Sequence, residues 1–113
     1  EPMVLDARRC VGYLTVEHRS AIPPDFRSGV GAMVAGCDIC QEVCPWTQRA
    51  PTDLHQEFEP ISRRFRPLIS ELEDMDEEAY REWRRGSALN RISFEQFRRN
   101  LEVARDNLKR GNG

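Results

Sequence analysis

Apolar positions in the second half of the chain recur at helical intervals, whereas the first half is broken up by prolines. Phe94, Phe97, Leu101, Ala104 and Leu108 are spaced 3, 4, 3 and 4 apart, a single stripe along one helix. Ser93-x-x-Gln96 in front of it is a capping box. Upstream, Asp76 can cap a helix with Ala79, Tyr80 and Trp83 facing inward and Gly86 just past its end. Pro67 can start another, with Leu68, Ile69 and Leu72 as its apolar residues. In the first half, Pro23-Pro24, Pro45, Pro51 and Pro60 punctuate the chain. Residues 6–19 open with Asp6, a good N-cap, and read as a short helix, although Val11, Thr15 and Val16 also permit strand. Pro24 at a first helical position predicts a helix to about Met33, weakened by Gly29 and Gly31. Residues 38–44 read as a tight turn or short helix, and residues 47–61 as loop. The expected fold is mostly α, without internal repeats or low-complexity tracts.

Composition narrows the class. The chain has 113 residues, enough for one small domain, with 39% hydrophobic and 32% charged residues, as in a soluble folded protein. No apolar run approaches the roughly 20 residues of a membrane helix. Glu1 in place of Met suggests a piece of something longer. The net charge of −2 gives no global attraction to nucleic acid. Its distribution is uneven. Residues 71–78 hold six acids, and residues 81–110 hold nine basic residues against four acids. Sixteen of the seventeen cationic side chains are arginine, which suits bidentate phosphate contacts but equally a solvated helix face.

The four cysteines change the picture most. With no secretory signal legible and a Cys-x2-Cys pair present, metal is favoured over disulfides, which fits a cytoplasmic protein. Bacterial two-cluster ferredoxins use Cys-x2-Cys-x2-Cys-x3-Cys-Pro. Three thiolates hold one cluster and the fourth crosses to the other. Cys37-x2-Cys40-x3-Cys44-Pro45 matches the last three ligands of such a run. The first position is Val34, and Cys10 is the natural substitute. Cys10, Cys37 and Cys40 would then hold one 4Fe–4S cluster with a fourth thiolate from outside, and Cys44 would donate to a second. Two alternatives stay open. One is an all-cysteine zinc site. The other is a single cluster closed by all four thiols.

These residues also carry a resemblance. Leu5-Asp6-Ala7-Arg8-Arg9-Cys10, Tyr13-Leu14-Thr15-Val16-Glu17-His18 and Gly36-Cys37-Asp38-x-Cys40-Gln41-x-Val43-Cys44-Pro45-Trp46 resemble the epoxyqueuosine reductase family. Arg85-Gly86-Ser87-Ala88-x-x-Arg91 and Arg99-Asn100 fall where that family has similar motifs. The resemblance implies half of a two-cluster ferredoxin-like module over residues 1–50, followed by a small helical segment over residues 51–113. It implies an oxidoreductase in which two 4Fe–4S clusters relay electrons from an external donor to cobalamin. That cofactor would reduce epoxyqueuosine to queuosine in the tRNA anticodon loop. The full-length enzyme would be a monomer away from membranes, and this portion would be inactive alone, because the cobalamin domain and the catalytic acid lie elsewhere.

By resemblance, Gly12 and Asp38 match positions near cobalamin, with Gly12 departing from the serine expected there. Glu17, His18 and Arg19 match a segment facing tRNA. Arg105-Asp106 stands where the family more often has Leu-Gly. A plain ferredoxin-like domain of another oxidoreductase is the alternative function, and a structural zinc-binding module the second. Asp38, between two ligands, reads as a hydrogen-bond tuner. Val11, Val34, Ile39 and Val43 read as an apolar shell for the cluster, and Trp46 as a lid over it. His18 reads as a surface or hydrogen-bonding residue and His55 as an ordinary loop residue. Tyr80, Trp83, Phe94 and Phe97 read as core. Arg81, Arg84, Arg85, Arg91, Arg98 and Arg99 are the candidate phosphate contacts.

Overall fold

A computed structural model of the chain describes residues 2–51, 57 and 67–111. Six α-helices are assigned among them: α1 (Pro24–Val30), α2 (Ile39–Glu42), α3 (Pro45–Gln48), α4 (Ile69–Glu73), α5 (Glu77–Arg84) and α6 (Phe94–Lys109). Short 3-10 turns cover Ala7–Arg9 and Ala88–Arg91, and Tyr13–Glu17 forms one π-helical turn. No strand occurs among the described residues, so the mostly α expectation holds.

Capping fixes where the helices begin. Ser93 Oγ accepts from the Gln96 amide at 3.2 Å, and Gln96 Oε1 accepts from the Ser93 amide at 3.0 Å, which closes the expected capping box. Asp76 Oδ1 accepts from the Ala79 amide at 2.7 Å at the head of α5. Asp6 caps not a full helix but the 3-10 turn, accepting from the Arg8 amide at 3.1 Å. The chain then continues into the π turn, where His18 N–H donates to the Tyr13 carbonyl. Helix α1 stops at Val30, short of the expected Met33, because Gly31 turns to φ 59°. Gly86 does the same past α5 at φ 70°. Part of the stretch read as loop, residues 47–61, is helical: α3 runs to Gln48. Residues 52–56 and 58–66, His55 among them, lie outside the described residues.

Helix α6 is the spine and buries two adjacent faces. Phe97 and Leu101 meet Leu72, Tyr80 and Ile92 in one apolar cluster, with Trp83 and Phe94 packed against it. Tyr80 stacks on Phe97 with ring centroids 4.2 Å apart, and its hydroxyl donates to the Ile92 carbonyl at 2.9 Å. The other cluster joins Leu14, Ile22 and Val30 to Val103 of α6. The four aromatic residues expected in the core are therefore there. Two expected inward positions are not. Ala79 lies on the open face of α5. Leu108 is 48% exposed, although Asn107 beside it in the last turn of α6 is buried against the end of α1.

The second buried face of α6 is polar. Gln96, Asn100 and Asn107 recur at intervals of 4 and 7, within roughly 40° of one another around the helix. All three are buried. Gln96 Nε2 donates to the carbonyls of Val16 and His18 at 3.0 and 3.1 Å. Asn100 Nδ2 donates to those of Thr15 and Val34, both at 2.8 Å. Asn107 Nδ2 donates to those of Arg27 and Gly31 at 2.7 and 2.9 Å, capping the end of α1. Beside them Arg99 donates to the carbonyls of Leu14, His18 and Ser20.

The packing predicts a sharp contrast along one stripe. Leu101→Ala empties a site that is 1% exposed in the native fold, and should cost about 2–5 kcal/mol. Leu108→Ala should cost less than about 1 kcal/mol. Denaturant unfolding of the two variants measures the difference, and equal losses would refute the assignment of the stripe.

Candidate metal centre

The cysteines sit on three short elements rather than on long helices. Cys10 closes the 3-10 turn, its amide donating to the Ala7 carbonyl, and its own carbonyl accepts from the Leu14 amide as the next turn begins. Gly12 follows so closely that a Cβ built on it would lie 3.5 Å from Cys10 Sγ. A side chain there is tolerated, yet it would border the sulfur directly.

Cys37 follows Gly36, whose φ of 77° is a left-handed conformation that L side chains rarely adopt. Asp38 then heads α2, its carbonyl accepting from the amides of Gln41 and Glu42. Its carboxylate Oδ1 accepts from Gln41 Nε2 at 3.4 Å. Cys40 lies within α2, and Cys44 immediately precedes Pro45, the first residue of α3.

All four thiols are free of disulfides. Cys10 and Cys40 are exposed, and Cys37 and Cys44 half-buried. The Cys44 thiol is held below its ordinary pKa because the backbone amides of Thr47 and Trp46, together with the Thr47 side chain, donate hydrogen bonds to its sulfur. Such donors favour the thiolate, the form that binds iron. This donor chemistry fits an iron–sulfur cluster. Among the described residues no three His, Cys, Asp or Glu side chains gather into one metal-binding group.

One tie does bring two cysteine loops together. Thr15 is fully buried in the π turn. Its Oγ1 donates to the Val11 carbonyl at 2.8 Å and accepts from the Gly36 amide at 3.0 Å. The backbone next to Cys10 is thereby linked to the backbone next to Cys37.

The apolar shell expected around the cysteines is only partly built. Val11 and Val34 are half-buried. Ile39 and Val43 are 50% and 68% exposed, and Trp46, expected as a lid, is 80% exposed. The one-turn helices α2 and α3 bury none of their own residues, so they leave these side chains in the open.

Of the segment expected to face tRNA, Glu17 pairs with Arg91 at 2.5 Å. Arg19 Nη1 donates to Gln96 Oε1 at 2.8 Å, and His18 Nε2 lies 3.1 Å from the Ala21 carbonyl. Among the arginines read as phosphate contacts, Arg84, Arg98 and Arg99 do not project freely, Arg98 donating to the Glu73 carbonyl at 2.6 Å. Arg84 donates to the Ile92 carbonyl at 2.6 Å and Arg99 to three carbonyls of residues 14–20. Burial pushes the Arg99 pKa below its ordinary value. Arg81, Arg85 and Arg91 keep most of their side chains in solvent.

Sequence reasoning missed Thr15, Gln96, Asn100 and Asn107 as organising residues. The signal available was the recurrence of amides on one helical face, adjacent to the apolar stripe.

Comparison with known proteins gives this arrangement a context. Residues 1–47 match the family described as a 4Fe-4S double cluster binding domain. Epoxyqueuosine reductase of Vibrio cholerae is 41% identical over 92% of this chain. The Escherichia coli enzyme is 38% identical over 95% of it. The chain spans 28% of the length of each. A crystal structure of selenomethionine-labeled epoxyqueuosine reductase superposes with a TM-score of 0.78 at 31% identity, covering 91% of this chain and 27% of that one. Another, of epoxyqueuosine reductase with a tRNA-Tyr epoxyqueuosine-modified tRNA stem loop, gives 0.75 at 28% identity over 96% of this chain and 28% of that one. Sequence and fold therefore agree that this chain, whose residues 1–47 match a 4Fe-4S double cluster binding domain, is similar over nearly its whole length to about a quarter of an epoxyqueuosine reductase.

Proposed function

We propose that this chain is the iron–sulfur portion of an epoxyqueuosine reductase, relaying electrons toward cobalamin for the reduction of epoxyqueuosine to queuosine in tRNA. The observation that carries the reading is the run Cys37-x2-Cys40-x3-Cys44-Pro45 inside a segment similar to those reductases in both sequence and fold. Cys10, Cys37 and Cys40 hold one 4Fe–4S cluster, which takes its fourth thiolate from outside this chain. Cys44 ligates a second cluster, and its lowered thiol pKa supports that role. Bound clusters supply one-electron transfer. The protein's part is to fix the thiolates and donate hydrogen bonds to sulfur.

Gly12 and Asp38 lie beside ligands, which supports their placement near cobalamin, and the missing side chain at Gly12 leaves the Cys10 sulfur open on that side. Glu17, His18 and Arg19 form the segment assigned to tRNA, with Arg81, Arg85 and Arg91 as phosphate contacts. An external reductant donates the electrons. The whole protein is a cytoplasmic monomer. Among the described residues no helix is long and apolar enough to cross a membrane.

Two measurements test this. The full-length protein purified anaerobically should absorb near about 400 nm and bleach with dithionite. Replacing Cys10, Cys37 or Cys40 with Ser should remove one cluster's iron, and replacing Cys44 should remove the other's. Colourless, zinc-loaded protein would refute the reading. For tRNA, changing Arg81, Arg85 and Arg91 to Gln should weaken binding. It should also flatten the dependence of log K on log salt by roughly 0.7–0.9 per lost phosphate contact. Unchanged affinity and slope would remove these arginines from the interface.

A further inference from the structure

We propose that the Thr15 hydroxyl is a positioning group that sets the separation of the Cys10 and Cys37 thiolates, and so governs whether the cluster they share assembles completely and at what potential. The inference builds on the ligand assignment made under Proposed function.

A threonine in a helical turn commonly donates its hydroxyl proton to the carbonyl four residues earlier, a purely local bond. Thr15 does this to Val11, with the Gly12 carbonyl a longer 3.3 Å away. What is not local is the other side of the oxygen. Its lone pair accepts from the amide of Gly36, 21 residues away in sequence. Val11 directly follows Cys10, and Gly36 directly precedes Cys37. Each of these two ligands is thus one residue from a backbone group bonded to the same oxygen atom.

The clamp is reinforced from behind. Asn100 Nδ2 donates to the Thr15 carbonyl and also to that of Val34, two residues before Gly36. Asn100 Oδ1 accepts from Arg99, so the amide cannot rotate without losing bonds on both sides. Gly36 is held at φ 77°, so its amide is aimed by a left-handed backbone. Thr15 is completely buried, so removing its hydroxyl takes away the one side-chain oxygen that joins the two loops at this point. A cube of iron and sulfur tolerates little variation in thiolate spacing. Loosening one loop relative to the other therefore acts on the cluster before it acts on the rest of the fold.

Thr15→Val keeps the branched shape and deletes the hydroxyl, whereas Thr15→Ser keeps the hydroxyl. Both are prepared in the full-length protein under anaerobic conditions, alongside Cys10→Ser and Cys37→Ser. Thr15→Val is expected to lose the iron of one cluster, about half the total for two clusters, or to show a 3Fe–4S electron paramagnetic resonance signal. Any cluster retained is expected at a shifted midpoint potential. Thr15→Ser is expected to restore the native iron, spectrum and potential. If Thr15→Val does not fold, Thr15→Ala is read in the same way, and failure of both to fold would overturn the inference in favour of a purely structural hydroxyl. Native iron, spectrum and potential in Thr15→Val, while the cysteine variants lose a cluster, would overturn the positioning role alone. Retention of both clusters in the cysteine variants would overturn the ligand assignment and the positioning role with it.

Discussion

Side-chain donors on one helix satisfy the backbone of a segment that has little regular structure to satisfy itself. Between Leu14 and Val34, eight carbonyls accept from Gln96, Arg99, Asn100 and Asn107 of α6. A folded chain must find partners for such groups wherever water is excluded. Here the π turn, the stretch after it through Ser20 and the abrupt end of α1 all leave carbonyls that α6 side chains take up. The position of the cysteine loops follows from how α6 collects them.

Magnitudes favour this network over the ion pairs. Each buried amide bond contributes about 0.5–1.5 kcal/mol net, but leaving its carbonyl unpaired costs about 1–3 kcal/mol. Exposed pairs such as Arg81–Glu77 and Arg85–Glu82 are worth about 0–1 kcal/mol and weaken with salt. Gln96 shows how fully the network is used. Its oxygen accepts from Ser93 and Arg19 while its nitrogen serves Val16 and His18. One residue thereby caps α6 and docks the π turn on it.

Much of the fold was legible because it follows local rules. Ser93 and Gln96, Asp76 and Gly86 announce helix ends through their own side chains or lack of one. Phe97, Leu101 and Tyr80 announce a core by spacing. The cysteines and Pro45 specify chemistry by interval alone. What stayed hidden depends on distant partners. Asn100 and Asn107 look like surface residues of an amphipathic helix, and Gln96 like a cap alone, until the segment they grip is in place. Ala79 and Leu108 fit the apolar spacing yet stay exposed. Ile39 and Val43 read as a shell for the cluster and Trp46 as its lid, yet the one-turn helices that carry them leave all three exposed. Arg84 and Arg99 read as cations for phosphate, and instead spend their donors on carbonyls within the chain.

The amide ladder of α6 reads main chain, not side chain. Its acceptors are carbonyl oxygens, which every residue type presents alike. The gripped segment can therefore change much of its sequence without losing its anchor, provided its path is kept. It also follows that the grip is neutral at both ends along its amide rungs, so acid, base or added salt leaves those rungs in place. A scaffold of this kind separates two demands usually met by the same residues: holding a loop still, and letting its side chains diverge toward a new partner.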